Sequence, residues 1–229
     1  MNNKYNLIFS KPENAATNMA IDESLAKQKE NLPTLRLYSW VTPAFSIGRF
    51  QKPEEVLNLA VCQESGVQVV RRITGGGAIF HDQELTYSLV WPRSLLDKNL
   101  SVKDSYRKLM GFLLAFYQEL GLRNIVFGHN ENLSKHEFCF LGLEKYDFLI
   151  DGKKLGGNAQ KRTRDMVFIH GSIPINFDLA KCNEFLINKI PVNNPPFISL
   201  VDLGLTISFG DLQKLLIASF EHEIKLYEY

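Results

Sequence analysis

Apolar positions recur along this chain at two spacings. From Asn14 to Glu30 the stretch "NAATNMAIDESLAKQKE" opens on a cap-type asparagine and contains neither glycine nor proline. It offers Ala16, Met19, Ala20 and Leu25 to one helical face. The segment 101–122, "SVKDSYRKLMGFLLAFYQELGL", begins with Ser101 and Asp104 in a capping-box relation, turns Leu109, Leu113, Phe116 and Leu120 inward, and stops at Gly121. "SFGDLQKLLIASFEHEIKL", 208–226, repeats the box with Ser208 and Asp211. Three helices are expected.

Between them the period shortens to two. "LTYSLVW" (85–91) sets Leu85, Tyr87, Leu89 and Trp91 against Thr86, Ser88 and Val90. "VQVVRRI" (67–73) and "MVFIHGSIPI" (166–175) read as further strands, and "YDFLIDGKKLGG" (146–157) as a hairpin turning at Asp151-Gly152. Strands in the middle and helices towards the ends predict an α+β fold with a mixed, largely antiparallel sheet flanked by helices. The stretch 187–204 holds three prolines and three asparagines and reads as a surface connection. With no repeat or long linker, residues 1–229 are expected to form one domain.

Composition narrows the function. Lys and Arg total 26 against 25 Asp and Glu, a net charge of +1, so no global field draws nucleic acid or an anionic membrane. The longest apolar runs are of core-strand length, and the start lacks a signal-peptide core, which predicts a soluble, cytoplasmic protein. Three cysteines without CxxC spacing argue against a disulfide scaffold. A monomer is the default expectation.

Candidate chemistry gathers around glycines. In "VVRRITGGGAIFHD" (69–82), Gly75, Gly76 and Gly77 lack Cβ atoms, so a ligand can lie against backbone whose N–H groups are free to donate. A bulged hairpin is the competing structural reading. No GK[ST] follows and GxGxxG is absent, so neither a P-loop nor a dinucleotide fingerprint is present. Arg71 and Arg72 alternate in a strand, so one can face a cleft, and His81-Asp82 adds a titrating group. Downstream, Gly156-Gly157 follows Lys154 and precedes Asn158, Ala159 and Gln160, and His170-Gly171 lies on the next strand. Cys62 and Cys182 sit in helical contexts as structural residues. His129, His136 and Cys139 match no zinc spacing, and no metal is expected.

The ordered motifs "NMAIDE", "LYSWVTPAFSIGRFQ", "RRITGGGAIFHD", "KKLGGNAQKR" and "HGSI" resemble the superfamily of lipoate–protein ligases, octanoyltransferases and biotin ligases over most of the chain. The resemblance implies a core akin to class II aminoacyl-tRNA synthetases, with an acyl chain lying along the glycine loop. It places Arg72, Gly75, Gly76, Gly77, His81, Gly156, Gly157, Asn158, Ala159, His170 and Gly171 around the substrate. Lys154 would contact the acyl carbonyl or acyl-phosphate, and the product would be an amide on a lysine of a small carrier domain.

"CF" at Cys139, fifteen residues before Lys154, is similar to the cysteine-type octanoyltransferases. That implies transfer from a carrier thioester through an acyl-cysteine, without a cofactor, with Lys154 favouring the thiolate and stabilising the oxyanion. Many lipoate ligases carry an additional C-terminal domain, whereas this sequence ends about one helix after the core, which also favours transfer. The alternatives are an ATP- and Mg-dependent lipoate ligase acting through acyl-AMP, and a non-catalytic carrier-binding protein. Acyl carrier protein or another octanoyl or lipoyl carrier is the implied donor. A lipoyl domain or glycine-cleavage H protein is the implied acceptor. Gly157-Asn158 departs from the Gly-Ser or Ser-Gly of many relatives. The basic residues Lys153, Lys154, Lys161, Arg162 and Arg164 read for the most part as a solvated hairpin rim, the functional alternative being a local docking patch for acidic carrier proteins.

Overall fold

The computed structural model describes residues 5–28, 31–127, 138–139 and 147–225. The chain runs through β1 (Asn6–Phe9), α1 (Ala15–Lys27), β2 (Thr34–Tyr38), β3 (Ala44–Ile47), α2 (Leu59–Glu64), β4 (Gln68–Arg71), β5 (Ile79–His81) and β6 (Glu84–Pro92). It continues through α3 (Val102–Leu109), α4 (Gly111–Glu119), β7 (Val126–Phe127), β8 (Phe148–Ile150), β9 (Lys153–Lys154), β10 (Gly157–Arg162), β11 (Met166–Pro174), α5 (Leu179–Phe185) and α6 (Phe209–Lys225).

Five strands form the main sheet in the order β1-β2-β6-β11-β10, in which β1 and β2 are parallel and the remaining pairs antiparallel. A three-stranded sheet, β4-β3-β5, and a smaller one, β7-β8-β9, complete the α+β architecture. The largest core fills the side of the main sheet that faces α3, α4 and α6, where Leu35, Leu85, Tyr87, Leu89, Val167 and Ile169 meet Phe112, Phe116, Leu212, Leu216 and Phe220.

The alternation of β6 and β11 has an unusual outcome, because both strands are buried along their whole length. Their second face carries Thr86, Ser88, His170 and Ser172, joined by Arg36 of β2, and all five are buried. This polar face is covered instead of solvated, so its groups must satisfy one another. That requirement builds the site.

Local signals hold where local chemistry decides them. The Asn14 side chain accepts from Thr17 N at 2.9 Å, and Ser101 and Ser208 cap as expected, accepting from Asp104 N and Asp211 N at 3.1 Å each. Such caps contribute about 1 kcal/mol apiece. Gly121 takes φ +85 just past α4, and Asp151 and Gly152, at φ 50 and 77, make the hairpin turn. Glu30, Tyr146 and Leu226, at the ends of three expected elements, lie outside the described residues.

Four expectations need correction. The segment 101–122 is two helices broken at Met110, and a Cβ on Gly111 would lie 2.8 Å from Glu223 Oε2 of α6. The close approach of α6 and the low helix propensity of glycine account for the break. On α1, Ala16 and Ala20 are exposed, whereas Ala15, Asn18, Met19, Asp22 and Leu25 are buried, because the helix packs on a polar sheet face. The connection 187–204 is not simply superficial: Ile190, Phe197, Ser199 and Leu200 are buried. Its backbone brackets Lys154, with Lys154 N donating to Pro196 O at 2.9 Å and Ile198 N to Lys154 O at 3.0 Å. The basic stretch is not one rim, since Lys154 is 1% exposed.

Candidate active site

Cys139 and Lys154 meet through backbone pairing. Cys139 N donates to Ala78 O at 2.8 Å and Phe138 bridges Ala78, which seats the cysteine at the end of the glycine loop. Lys154 arrives on β9 after the Asp151-Gly152 turn. Its Nζ lies 2.7 Å from Asp147 Oδ2, donates to Cys139 O at 2.9 Å, and stands 3.6 Å from Cys139 Sγ. The Sγ also sits against bare backbone, where a Cβ on Gly157 would be 3.2 Å away. A cation beside a thiol favours its thiolate form, and the bare backbone on the other side leaves room next to the sulfur.

Both groups line a cavity of about 320 Å³ whose wall includes Gly75, Gly76, Ile79, Gly157 and Ala159. The glycine loop forming one side is held by Arg72. This arginine is 3% exposed; its Nη2 donates to Gly75 O and Gly77 O at 2.7 Å each, and its Nη1 to Ser46 O at 2.9 Å. Gly76 takes φ +89, and a Cβ there would stand 3.0 Å from Arg72 Nη2. Arg71 is exposed and clasps the neighbouring turn, donating to the carbonyls of Gly48, Arg49 and Gln51 at 2.8–3.0 Å.

Behind Arg72 stand two hydroxyl–imidazole–carboxylate relays. In one, Ser46 Oγ lies 2.7 Å from His81 Nε2, and His81 Nδ1 lies 2.8 Å from Glu84 Oε1. In the other, Thr74 Oγ1 lies 2.7 Å from His170 Nε2, and His170 Nδ1 lies 3.4 Å from Asp22 Oδ2. Arg72 donates to both hydroxyl oxygens, Thr74 at 3.2 Å and Ser46 at 3.4 Å. Each hydroxyl can then give its proton to the facing imidazole, which at His170 corresponds to the Nδ1–H tautomer donating to Asp22.

Burial lowers the His170 pKa, against the pull of Asp22 and reinforced by Arg72 and His81. Asp22 resists the upward push of burial and is held below its ordinary range by His170 and Arg36, the latter donating from Nη1 at 2.7 Å. Glu84 is likewise lowered against burial, by His81 and by hydroxyl donors Ser172 and Thr86.

All three groups bind protons more weakly in the native state, so the unfolded chain takes up more protons as the pH falls. The His170 contribution is complete above about pH 6.5 and declines below it; those of Asp22 and Glu84 decline below about pH 4.5. Calorimetry should show a melting temperature that falls in two stages on acidification. His170→Gln should flatten the upper stage, and an unchanged slope between about pH 5 and 6.5 would remove His170 from this role.

Of the residues singled out from sequence, Arg72, Gly75, Gly76, His81, Cys139, Lys154, Gly157, Asn158, Ala159, His170 and Gly171 all line the cavity. Gly77 supports it through its carbonyl. Gly156 does not line it: at φ +81, a Cβ would lie 2.2 Å from Ser172 O, so this glycine serves strand crossing. Asn158 points its Oδ1 at Tyr87 Oη, 2.6 Å away, and Gly171 leaves room for that contact. Sequence reasoning missed Asp22, Glu84, Ser46, Thr74 and Asp147. Asp22, Ser46 and Thr74 lie within the quoted "NMAIDE", "LYSWVTPAFSIGRFQ" and "RRITGGGAIFHD", the visible signals among them. Gly48 was also missed, although a Cβ there would meet Gly76 O at 2.0 Å. Cys62 and Cys182 are buried in the core, as expected. His129 and His136 lie outside the described residues. Among those described, no three His, Cys, Asp or Glu side chains are grouped to hold a metal, and no helix is long and apolar enough to cross a membrane.

Residues 14–221 match the family described as the lipoyl protein ligase A/B catalytic domain. The octanoyltransferase LipM of Clostridioides difficile (strain 630) is 36% identical over 197 residues, covering 82% of this chain and 72% of that protein. A crystal structure of lipoate-protein ligase A bound with ATP aligns with a TM-score of 0.80 at 23% identity, over 97% of this chain and 86% of that one. A bi-partite lipoate protein ligase studied with its E2 lipoyl domain, from Thermoplasma acidophilum, aligns with a TM-score of 0.75 at 22% identity, over 97% and 84%. These structures share the fold, the class II synthetase-like core anticipated from the motifs.

Proposed function

Because the chain belongs to the lipoyl protein ligase A/B catalytic family, we propose that it is an octanoyltransferase of protein lipoylation working through an acyl-cysteine. One observation carries the mechanism: Cys139 Sγ stands 3.6 Å from Lys154 Nζ inside a glycine-walled cavity. The Cys139 thiolate attacks the carbonyl of an octanoyl thioester. The tetrahedral oxyanion is stabilised by the Lys154 ammonium, and the carrier thiolate leaves and takes a proton. The thioester now on Cys139 is attacked by a neutral lysine amine of the acceptor. Its C–S bond breaks, and the amine's surplus proton neutralises the departing sulfur. Thioester exchange is nearly isoenergetic, and amide formation drives the second step, so ATP has no part.

The acyl chain lies along Gly75 and Gly76, where side chains would obstruct it. Arg72 and the two relays hold that loop and position it. The donor is an acyl carrier protein or a comparable octanoyl or lipoyl carrier, and the acceptor a lipoyl domain or glycine-cleavage H protein. Residues 1–229 act as one catalytic unit.

Incubation with an octanoyl-carrier thioester, without ATP, should add one octanoyl mass that hydroxylamine removes. Absence of the adduct, with modification of a lipoyl domain only when ATP and free acid are supplied, would replace transfer with ligation. Gly76→Val should lose most transfer while still folding, since the branched residue would press on Arg72 Nη2, which holds the loop, at a backbone angle costing about 1–3 kcal/mol. Full turnover in a folded variant would move the acyl chain elsewhere.

A further inference from the structure

We propose that a basic groove next to the catalytic cavity docks an acidic carrier protein bearing its acyl group on a phosphopantetheine arm; this rests on the transfer reading above. The groove, of about 580 Å³, is lined by Arg93, Lys98, Arg162 and Arg164 together with Ser105 and Asp165.

It shares a wall with the cavity. Gln160 and Tyr106 line the cavity, while Arg162 and Ser105 line the groove. Arg162 joins them, donating from Nε to Gln160 Oε1 at 3.3 Å and from Nη2 to Ser105 Oγ at 2.5 Å. Strand β10 thus begins beside Cys139 at Gly157 and ends in the groove at Arg162, a path of about 16 Å at the usual rise per residue.

The charges of the groove are unspent. None of the four cations has a carboxylate within ion-pair distance among the described residues, although Asp97 and Asp165 also line the groove. Arg93 donates to the carbonyls of Thr163 and Arg164 instead. Arg162 is half-buried, and burial and Arg93 both disfavour its charge, a tension that an anion would relieve. A whole-chain charge of +1 makes this a local field.

Geometry favours the donor over the acceptor. A lysine side chain cannot span the path along β10, so the acceptor must close on the cavity mouth itself. A phosphopantetheine arm can reach Cys139 from a carrier seated on the groove, with its phosphodiester beside the arginines.

The test uses Lys98→Glu/Arg164→Glu, two exposed side chains outside the cavity. With octanoyl-carrier protein as donor, KM should rise about tenfold and the salt dependence of kcat/KM should weaken. With octanoyl-N-acetylcysteamine, which has neither protein nor phosphate, turnover should match wild type. Equal behaviour of variant and wild type towards the carrier would overturn the assignment, as would a KM increase confined to the acceptor. An equal loss with both donors, repeated in Lys98→Ala/Arg164→Ala, would also overturn it by showing damage to the cavity. Failure of wild type with every thioester donor would instead remove the transfer reading itself.

Discussion

Cys139→Ser is expected to abolish the hydroxylamine-labile octanoyl adduct and to lower transfer to a lipoyl domain by about 10³-fold or more, since losing a covalent nucleophile costs up to ~10⁶ in kcat. The reasoning is one of ionisation. A serine hydroxyl lacks the accessible anion of a thiol, and Lys154, an ammonium paired with Asp147, offers no base to deprotonate it. The described surroundings of Cys139 contain no imidazole in contact with Sγ; its recorded side-chain partner is Lys154 at 3.6 Å. The substitution removes little from the fold, because Cys139 is only part-buried. Intact-mass measurement with octanoyl-carrier thioester reads the first half-reaction, and a gel-shift or mass assay of the acceptor reads the second. Full transfer by a folded Cys139→Ser protein would eliminate the acyl-cysteine and leave direct transfer between substrates.

Lys154→Met should cost roughly 10²- to 10³-fold in kcat, the usual loss for one oxyanion-stabilising donor. Interpretation needs a control, because Lys154 and Asp147 form a buried pair, 1% and 4% exposed. Removing one member breaks a buried ion pair, at a cost of about 3–5 kcal/mol of stability. Lys154→Met/Asp147→Asn removes both charges and should recover much of the melting temperature. It should not recover turnover, because neither replacement supplies a cation at the reacting carbonyl. Recovery of turnover along with stability would show that Lys154 acts only by holding the fold. In the expected case, loss of kcat with a preserved fold separates chemistry from architecture.

How much of this site was legible beforehand can be judged residue by residue. The glycine loop and Lys154 stood out because their chemistry is unusual in a short stretch, consecutive glycines and a lysine beside a glycine pair, whereas Cys139 came into view only through the resemblance to cysteine-type octanoyltransferases. Asp147 did not, although it lies seven residues before Lys154, because a carboxylate in a hairpin ordinarily faces solvent. Glu84, one residue before the alternating stretch, gave no signal either. What makes it part of the site is Trp40, whose Nε1 donates to it at 3.0 Å and whose ring stacks on His81 at 4.0 Å between centroids. Arg72 lines the cavity, yet its hydrogen bonds run to the loop that it props.

By itself the sequence determined whatever a few adjacent residues can enforce. Caps at Asn14, Ser101 and Ser208, the left-handed stop at Gly121 and the turn at Asp151-Gly152 depend on side chains or backbone angles within one turn of chain, and neighbours elsewhere do not change them. Motif order brought the family into view for the same reason. Tertiary structure alone decided which polar groups are buried together. Asp22 and His170 are 148 residues apart and Thr74 and His170 96 apart, and no local pattern distinguishes such partners from solvated side chains. Their roles arise because α1 and the small sheet cover a polar sheet face, and a polar group taken out of water must find its partner across whatever sequence distance the fold has closed.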